Sequence, residues 1–298
     1  MKHYPVHYLP VSTGETLAYR KAGEAGPHLV LVHGNMSSSV HWQTTMERLE
    51  DSYQIHALDL RGFGDSTYHQ ELNSLYDFAE DVAAFITELK LEDVLILGWS
   101  TGGGIVLETA RLLPEVIKQV VLLDSVGLQG FPMYKKTADF QMDFSQPIST
   151  KEEIAVDPVQ VLPILNAYAQ KDKNLLKMVW DATIYNLKQP SEEDYELYLD
   201  AMLKQRNLVD VDYSLVHFNM TNEANIYGEG ADTLKQVVAP ILILHGQKDL
   251  IVPVAEAHKA KEYLGDQATL IIFEEAGHSV VTDDLDLFEK TLRDHLLA

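Results

Sequence analysis

The run DVLILGWSTGGG at residues 93–104 decides the fold. Its first five residues, Asp93 to Leu97, form a short apolar stretch rich in branched side chains. That is the pattern of a strand buried on both faces of a sheet. Gly98-Trp99-Ser100-Thr101-Gly102 follows at once and matches G-x-S-x-G. A sharp strand-to-helix turn holds the central serine with its hydroxyl exposed. Glycines two residues before and after remove Cβ atoms that would clash across that turn. The chain then runs as a helix to about Pro114, and the helix start offers free N–H groups and a positive dipole end beside Ser100. The bare motif recurs by chance; between a buried strand and a helix it points to nucleophilic catalysis.

Working outward, the same alternation repeats. Residues 4–11 and 15–22 alternate like strands around Ser12-Thr13-Gly14 and predict a hairpin. Residues 28–33, 54–60 and 118–123 are further buried-strand runs, and 74–89 carries apolar residues at helical spacing. Strand and helix in turn imply a parallel sheet covered on both faces. From about Val126 to Val238 strand-like runs give way to helical stretches near 157–170, 172–188, 191–206 and 208–220. The sheet pattern resumes at 240–244 and 268–273, and a final helix is expected near 283–297. The expected class is therefore α/β, a mostly parallel central sheet flanked by helices, with an inserted helical cap. Residues 1–125 and 239–298 would form the core, and 126–238 the cap.

Bulk properties narrow the function. The formal net charge is −22, with 23 basic against 45 acidic residues. Phosphate binding needs clustered Lys and Arg, so a nucleic-acid partner is not expected, and an anionic membrane surface would repel the chain. No cysteine is present, which removes disulfides, thiolate metal sites and a cysteine nucleophile. The first ten residues lack the apolar core of a signal peptide, and no run of 18 apolar residues occurs. A cytoplasmic protein without a membrane span is the expectation. The histidines show neither His-Glu-x-x-His nor a tight His/Asp cluster in sequence, so neither a catalytic metal nor another cofactor is expected.

The chain resembles the α/β-hydrolase superfamily, and the resemblance runs over nearly its full length. It rests on the elbow at Ser100, His33-Gly34-Asn35 after an early strand, and Asp59-Leu60-Arg61-Gly62-Phe63-Gly64-Asp65-Ser66 after the next. It also rests on Asp249 after the run at 240–245 and on Ala276-Gly277-His278-Ser279 after the last strand. The resemblance implies a triad in the family's chain order: Ser100 as nucleophile, Asp249 as acid, His278 as base. Asp124 occupies a second position from which some members supply the acid. The oxyanion hole is implied at the backbone N–H groups of Thr101 and Asn35, with Met36 as the alternative to Asn35. Asn at this place also occurs in relatives with an aspartate nucleophile, but Ser100 argues against dehalogenase or epoxide-hydrolase chemistry here. His33, Asp59, Arg61 and Asp65 read as loop-shaping residues.

The insertion is rich in aromatic side chains, and some of them should roof the serine. Met36, Trp99, His217 and Phe218 are candidate pocket residues, with Asn219 and Met220 beside them, although Trp99 fits packing under the elbow better. The expected activity is cleavage of a small to medium, largely apolar carboxylic ester through an acyl-enzyme, with lactones or hydroxyalkanoate esters also open. A Trp before the nucleophile also resembles some intracellular polyhydroxybutyrate depolymerases. A carbon–carbon hydrolase, a cofactor-free haloperoxidase and a non-catalytic ligand-binding protein on the same fold are the alternatives. The sequence leaves oligomeric state open.

Overall fold

The computed structural model describes residues 1–296. Strands β1 (Val6–Pro10) and β2 (Thr16–Ala22) form the expected hairpin. Then come β3 (His28–Val32), α1 (Gln43–Leu49), β4 (Gln54–Leu58), α2 (Leu75–Glu88), β5 (Val94–Trp99), α3 (Thr101–Leu112) and β6 (Ile117–Leu123). Ser74 starts α2 by accepting the Asp77 N–H in a capping box, which sets the boundary of the apolar helical pattern.

Between β6 and the next core strand lie β7 (Tyr134–Lys136), β8 (Met142–Pro147), α4 (Lys151–Ala155), α5 (Leu162–Gln170), α6 (Lys173–Thr183), α7 (Glu192–Met202) and α8 (Leu208–Val216). The ribbon β7–β8 and helix α4 are absent from the sequence reading. A three-residue strand gives no periodicity to detect, and β8 is almost wholly solvent-facing. Helix α5 begins later than residue 157, because the Asp157 carboxylate takes the N–H groups of Val159 and Gln160 and makes a turn there.

The core resumes with β9 (Ile241–Gly246), α9 (Val254–Leu264), β10 (Ala268–Phe273), α10 (Val280–Asp283) and α11 (Leu285–His295). The final helix is thus broken at Asp284, which caps α11 through Leu287 N–H, and residue 297 lies outside the described residues.

The main sheet has eight strands in the order β1-β2-β4-β3-β5-β6-β9-β10. The β1–β2 and β2–β4 pairs are antiparallel, and every later pair is parallel. Every residue of β5 and β9 is buried, as is β3 beyond His28, which accounts for their unbroken apolar runs. Each fully buried aliphatic side chain there contributes roughly 1.5–3 kcal/mol. One apolar cluster covers the α2–α3 face, and the other joins the opposite face to Trp180, Tyr185, Tyr195 and Tyr198 from the inserted helices.

Strand order doubles back at β3, whose neighbours are β4 and β5. Open α/β sheets bind ligands at the carboxyl ends of strands beside such a reversal. The carboxyl edge therefore presents, strand by strand, the loop at Asn35, then Ser100, Asp124, Asp249 and His278.

Candidate active site

Ser100 follows the last residue of β5 and precedes the first of α3, so its backbone must turn within one residue. It does so at φ 56° and ψ −119°, a conformation that L-residues rarely adopt. The turn is held from both sides. Ser100 N–H donates to Leu123 O at 2.9 Å, and Ser100 O accepts from Gly103 N–H and Val126 N–H. A Cβ on Gly98 would stand 2.2 Å from Gly102 O, and one on Gly102 would stand 2.5 Å from Val32 O. The glycines flanking the serine are thus set by contact distance.

The turn brings three distant residues together. His278 Nε2 lies 3.0 Å from Ser100 Oγ, and His278 Nδ1 lies 2.7 Å from Asp249 Oδ2. A carboxylate only accepts, so Nδ1 carries the hydrogen and Nε2 is left to accept from the serine. His278 is 2% exposed and Ser100 half-buried. Asp249 Oδ1 also accepts the N–H groups of Ile251 and Val252. Burial pushes the Asp249 carboxyl up, but His278 and His245, with the hydrogen bonds from both, hold it well below the usual carboxylate range. Asp124 does not take this place. Its Oδ1 accepts Gly246 N–H at 2.8 Å, and burial pushes the carboxyl up to about 6.

The loop after β3 closes on the serine from the other side. A Cβ on Gly34 would lie 2.9 Å from Ser100 Cβ and 3.0 Å from Trp99 O. Asn35 follows directly. Its Oδ1 accepts Met36 N–H at 2.9 Å, so the Met36 N–H is already engaged. Thr101 N–H opens α3 and has no intrahelical acceptor. Among the described residues, no loop hydrogen bond takes the N–H of Asn35 or of Thr101.

The side chain of Asn35 is tied to the inserted helices. Gln205 Nε2 donates to Asn35 Oδ1 at 2.8 Å, and Asn35 Nδ2 donates to Asp212 Oδ1 at 3.1 Å. Tyr168 OH donates to Gln205 Oε1. Burial, reinforced by Asp157, pushes Asp212 up to about 7. Sequence reading missed Asp212 and Gln205, because polar residues inside helices carry no motif.

Two pocket expectations require correction. The buried Phe218 ring packs on α3 where a Gly104 Cβ would meet it at 3.1 Å, so it belongs to the apolar core. His217 is exposed and bonds Ser149 O through Nε2. The pair ends α8 on the core and solvent sides, not over the elbow. Asn219 bonds Glu223 O and Thr221, and Met220 is 1% exposed in the same core cluster as Phe218. Trp99 is also engaged: its Nε1 donates to His278 O at 2.8 Å, and its ring packs on His41, Trp42 and Trp180. Behind it, His41, Tyr185 and Tyr198 leave a cavity of about 10 Å³. That is room for about one water, not an acyl chain.

His33, Asp59 and Arg61 hold the surrounding loops. His33 donates from Nδ1 to Gly34 O and accepts Leu60 N–H at Nε2. Asp59 accepts Ser39 N–H and Asp65 N–H, and Arg61 pairs with buried Asp81. Asp65 meets Lys204 of the inserted segment at 2.7 Å. One close grouping of metal-type donors is Asp124, His245 and Asp249, within 4.8 Å of one another. Asp249 is committed to His278 and His245 Nε2 to Val252 O, so the group reads as a hydrogen-bonded network. Sequence reading gave His245 no role, although a His four residues before the acid was visible.

The family described as alpha/beta hydrolase fold matches residues 27–285. The chain belongs to that family. Among curated proteins, a pimeloyl-[acyl-carrier protein] methyl ester esterase of Aliivibrio fischeri is 27% identical, the match covering 94% of this chain and 97% of that protein. One of the same description from Pseudoalteromonas atlantica is 28% identical over 93% of this chain and 99% of its own. Among solved structures, an esterase of Exiguobacterium antarcticum superposes with a TM-score of 0.71 at 21% identity, covering 97% of this chain and 98% of that one. This α/β-hydrolase therefore matches curated esterases over nearly all of its length. No helix among the described residues is long and apolar enough to cross a membrane.

Proposed function

We propose that the protein hydrolyses carboxylic esters of small acyl groups through an acyl-enzyme. The observation that carries this is the hydrogen-bonded line Ser100 Oγ–His278–Asp249, at 3.0 and 2.7 Å. The esterase names of full-length relatives support it.

In this mechanism His278 Nε2 takes the proton of Ser100 as Oγ attacks the ester carbonyl carbon. The carbonyl oxygen becomes an oxyanion beside the N–H groups of Asn35 and Thr101. Asn35 is preferred over Met36 because the Met36 N–H is engaged by the Asn35 side chain. Removing one such donor typically costs about 10²–10³ in rate. Asp249 holds the imidazole in the needed tautomer and stabilises the imidazolium. The C–O bond then breaks, and the alcohol leaves with the proton from His278. Water attacks the acyl-enzyme with His278 as base, releasing the acid and restoring Ser100.

Residues 126–238 act as a cap in this reading. They supply Gln205 and Asp212 over Asn35 and the aromatic side chains behind Trp99. The tight packing behind Trp99 leaves no room there for a long acyl chain and favours a short acyl group. Methyl esters are the first alcohol group to test, given the relatives' names.

The test is a panel of nitrophenyl and methyl esters graded by acyl length, run beside lactones, hydroxyalkanoate oligomers and vinylogous diketones. Turnover of short esters above the rest is expected. Preference for the diketones, or no ester turnover, contradicts the proposal.

A further inference from the structure

Behind the Asp249–His278 pair lies a second buried imidazole. His245, in β9, is 1% exposed. Its Nε2 lies 2.9 Å from Val252 O and 3.4 Å from Asp249 Oδ2. A carbonyl oxygen only accepts, so Nε2 bears a hydrogen. Val252 in turn donates its N–H to Asp249 Oδ1 at 2.9 Å, so His245 holds the loop that delivers the acid.

Asp124, at the end of β6, faces the same imidazole. It is fully buried, its Oδ1 is used by Gly246 N–H, and its Oδ2 has no hydrogen-bond partner among the described residues. Two carboxylates buried this close are costly unless a positive charge or a proton offsets them. The titratable groups facing His245 are Asp124 from β6, Asp249 from the loop after β9 and, across Asp249, His278 from the loop after β10.

We infer that His245 is a positioning residue for the triad, which fixes the Asp249 carboxylate against His278 and supplies the positive charge that balances Asp124 and Asp249. The inference rests on the triad proposed above. Burial opposes the charged imidazole, but the Asp249 hydrogen bond, the nearby Asp124 and the Val252 carbonyl together raise its pKa above the ordinary value. Asp124, Asp249 and His245 therefore titrate as a unit.

The experiment compares His245→Gln, which keeps an N–H donor but not the charge, with His245→Phe, which keeps neither. Both are assayed on an ester that the wild-type protein turns over, across pH, with thermal melts and phosphonate labelling as folding controls. His245→Phe should lower kcat by at least about tenfold with KM changed less than about twofold. His245→Gln should recover part of that kcat. In both, the acid limb of the kcat/KM profile should move to higher pH by more than about half a unit, because a positive neighbour of the triad is gone. A wild-type kcat in His245→Phe, or an unmoved limb in His245→Gln, overturns the inference. If His245→Phe fails to fold, the limb of His245→Gln decides. Variants matching an active wild type remove only the role of His245, whereas a wild type without ester turnover removes the triad reading as well.

Discussion

The indole Nε1 of Trp99 donates a 2.8 Å hydrogen bond to the carbonyl oxygen of His278. The residue before the proposed nucleophile thereby holds the loop that carries the proposed base. The bond spans 179 positions in sequence and ties the two halves of the site together. Trp99→Phe keeps the ring in its aromatic cluster and removes this bond. Stability should fall by about 1 kcal/mol. Turnover should fall about three- to tenfold, mostly in kcat, as measured by urea melts and steady-state kinetics. A change confined to KM would instead place Trp99 against substrate.

Gly34 sets the distance between the Asn35 loop and the serine. In Gly34→Ala the new methyl group would meet Ser100 Cβ at 2.9 Å and Trp99 O at 3.0 Å. Neither neighbour is the free end of a flexible side chain, so the loop must shift. The shift needed is a few tenths of an ångström, less than the 1 Å that costs about 10²-fold, so kcat/KM on a short ester should fall by about tenfold. Near wild-type kcat/KM would show that the loop plays no part in catalysis.

The two acids should separate cleanly. Asp249→Asn leaves an amide against His278 Nδ1 and favours the wrong tautomer, so kcat should drop by about 10⁴. Asp124→Asn keeps an acceptor for Gly246 N–H and should stay within about tenfold of wild type. The reverse ranking would move the acid to β6.

Much of this site was legible in the chain. The elbow is a local device, so Gly98, Ser100 and Gly102 announce it in sequence. Asp249 and His278 sit just past apolar runs, and strand order delivers them to one edge. The pocket was not legible, because contacts between inserted helices and core depend on how several helices pack. Phe218 illustrates the failure: an aromatic in the insertion lies on α3 as core. Asp212 and Gln205, which do reach Asn35, gave no pattern to find.

Buried histidines make stability depend on pH. Burial lowers His33 and His56 to about 4 and His41 to about 3, from an ordinary 6.5. A folded-state pKa below the unfolded one means that the unfolded chain binds more protons between the two values. Stability is then lost as pH falls through the unfolded value toward the folded one. His245 is raised and acts in the opposite sense, as do Asp212 and Asp124, raised to about 7 and about 6, so three groups oppose the three imidazoles in this window. The imidazole contribution is therefore read by difference: the urea midpoint of wild type should drop further relative to that of His56→Gln as pH goes from about 7.5 to about 5.5. Parallel pH curves for wild type and His56→Gln would mean that this imidazole is not held neutral.

The nucleophile is the centre of the account, and covalent labelling tests it most directly. A fluorophosphonate probe should add one phosphonyl group to the wild-type protein, with the adduct mapped to Ser100 by peptide mass spectrometry. Ser100→Ala should remain unmodified while melting as a folded protein. A wild-type protein that resists the probe, or a Ser100→Ala variant labelled equally well, would contradict the account at the residue on which the rest of the site converges.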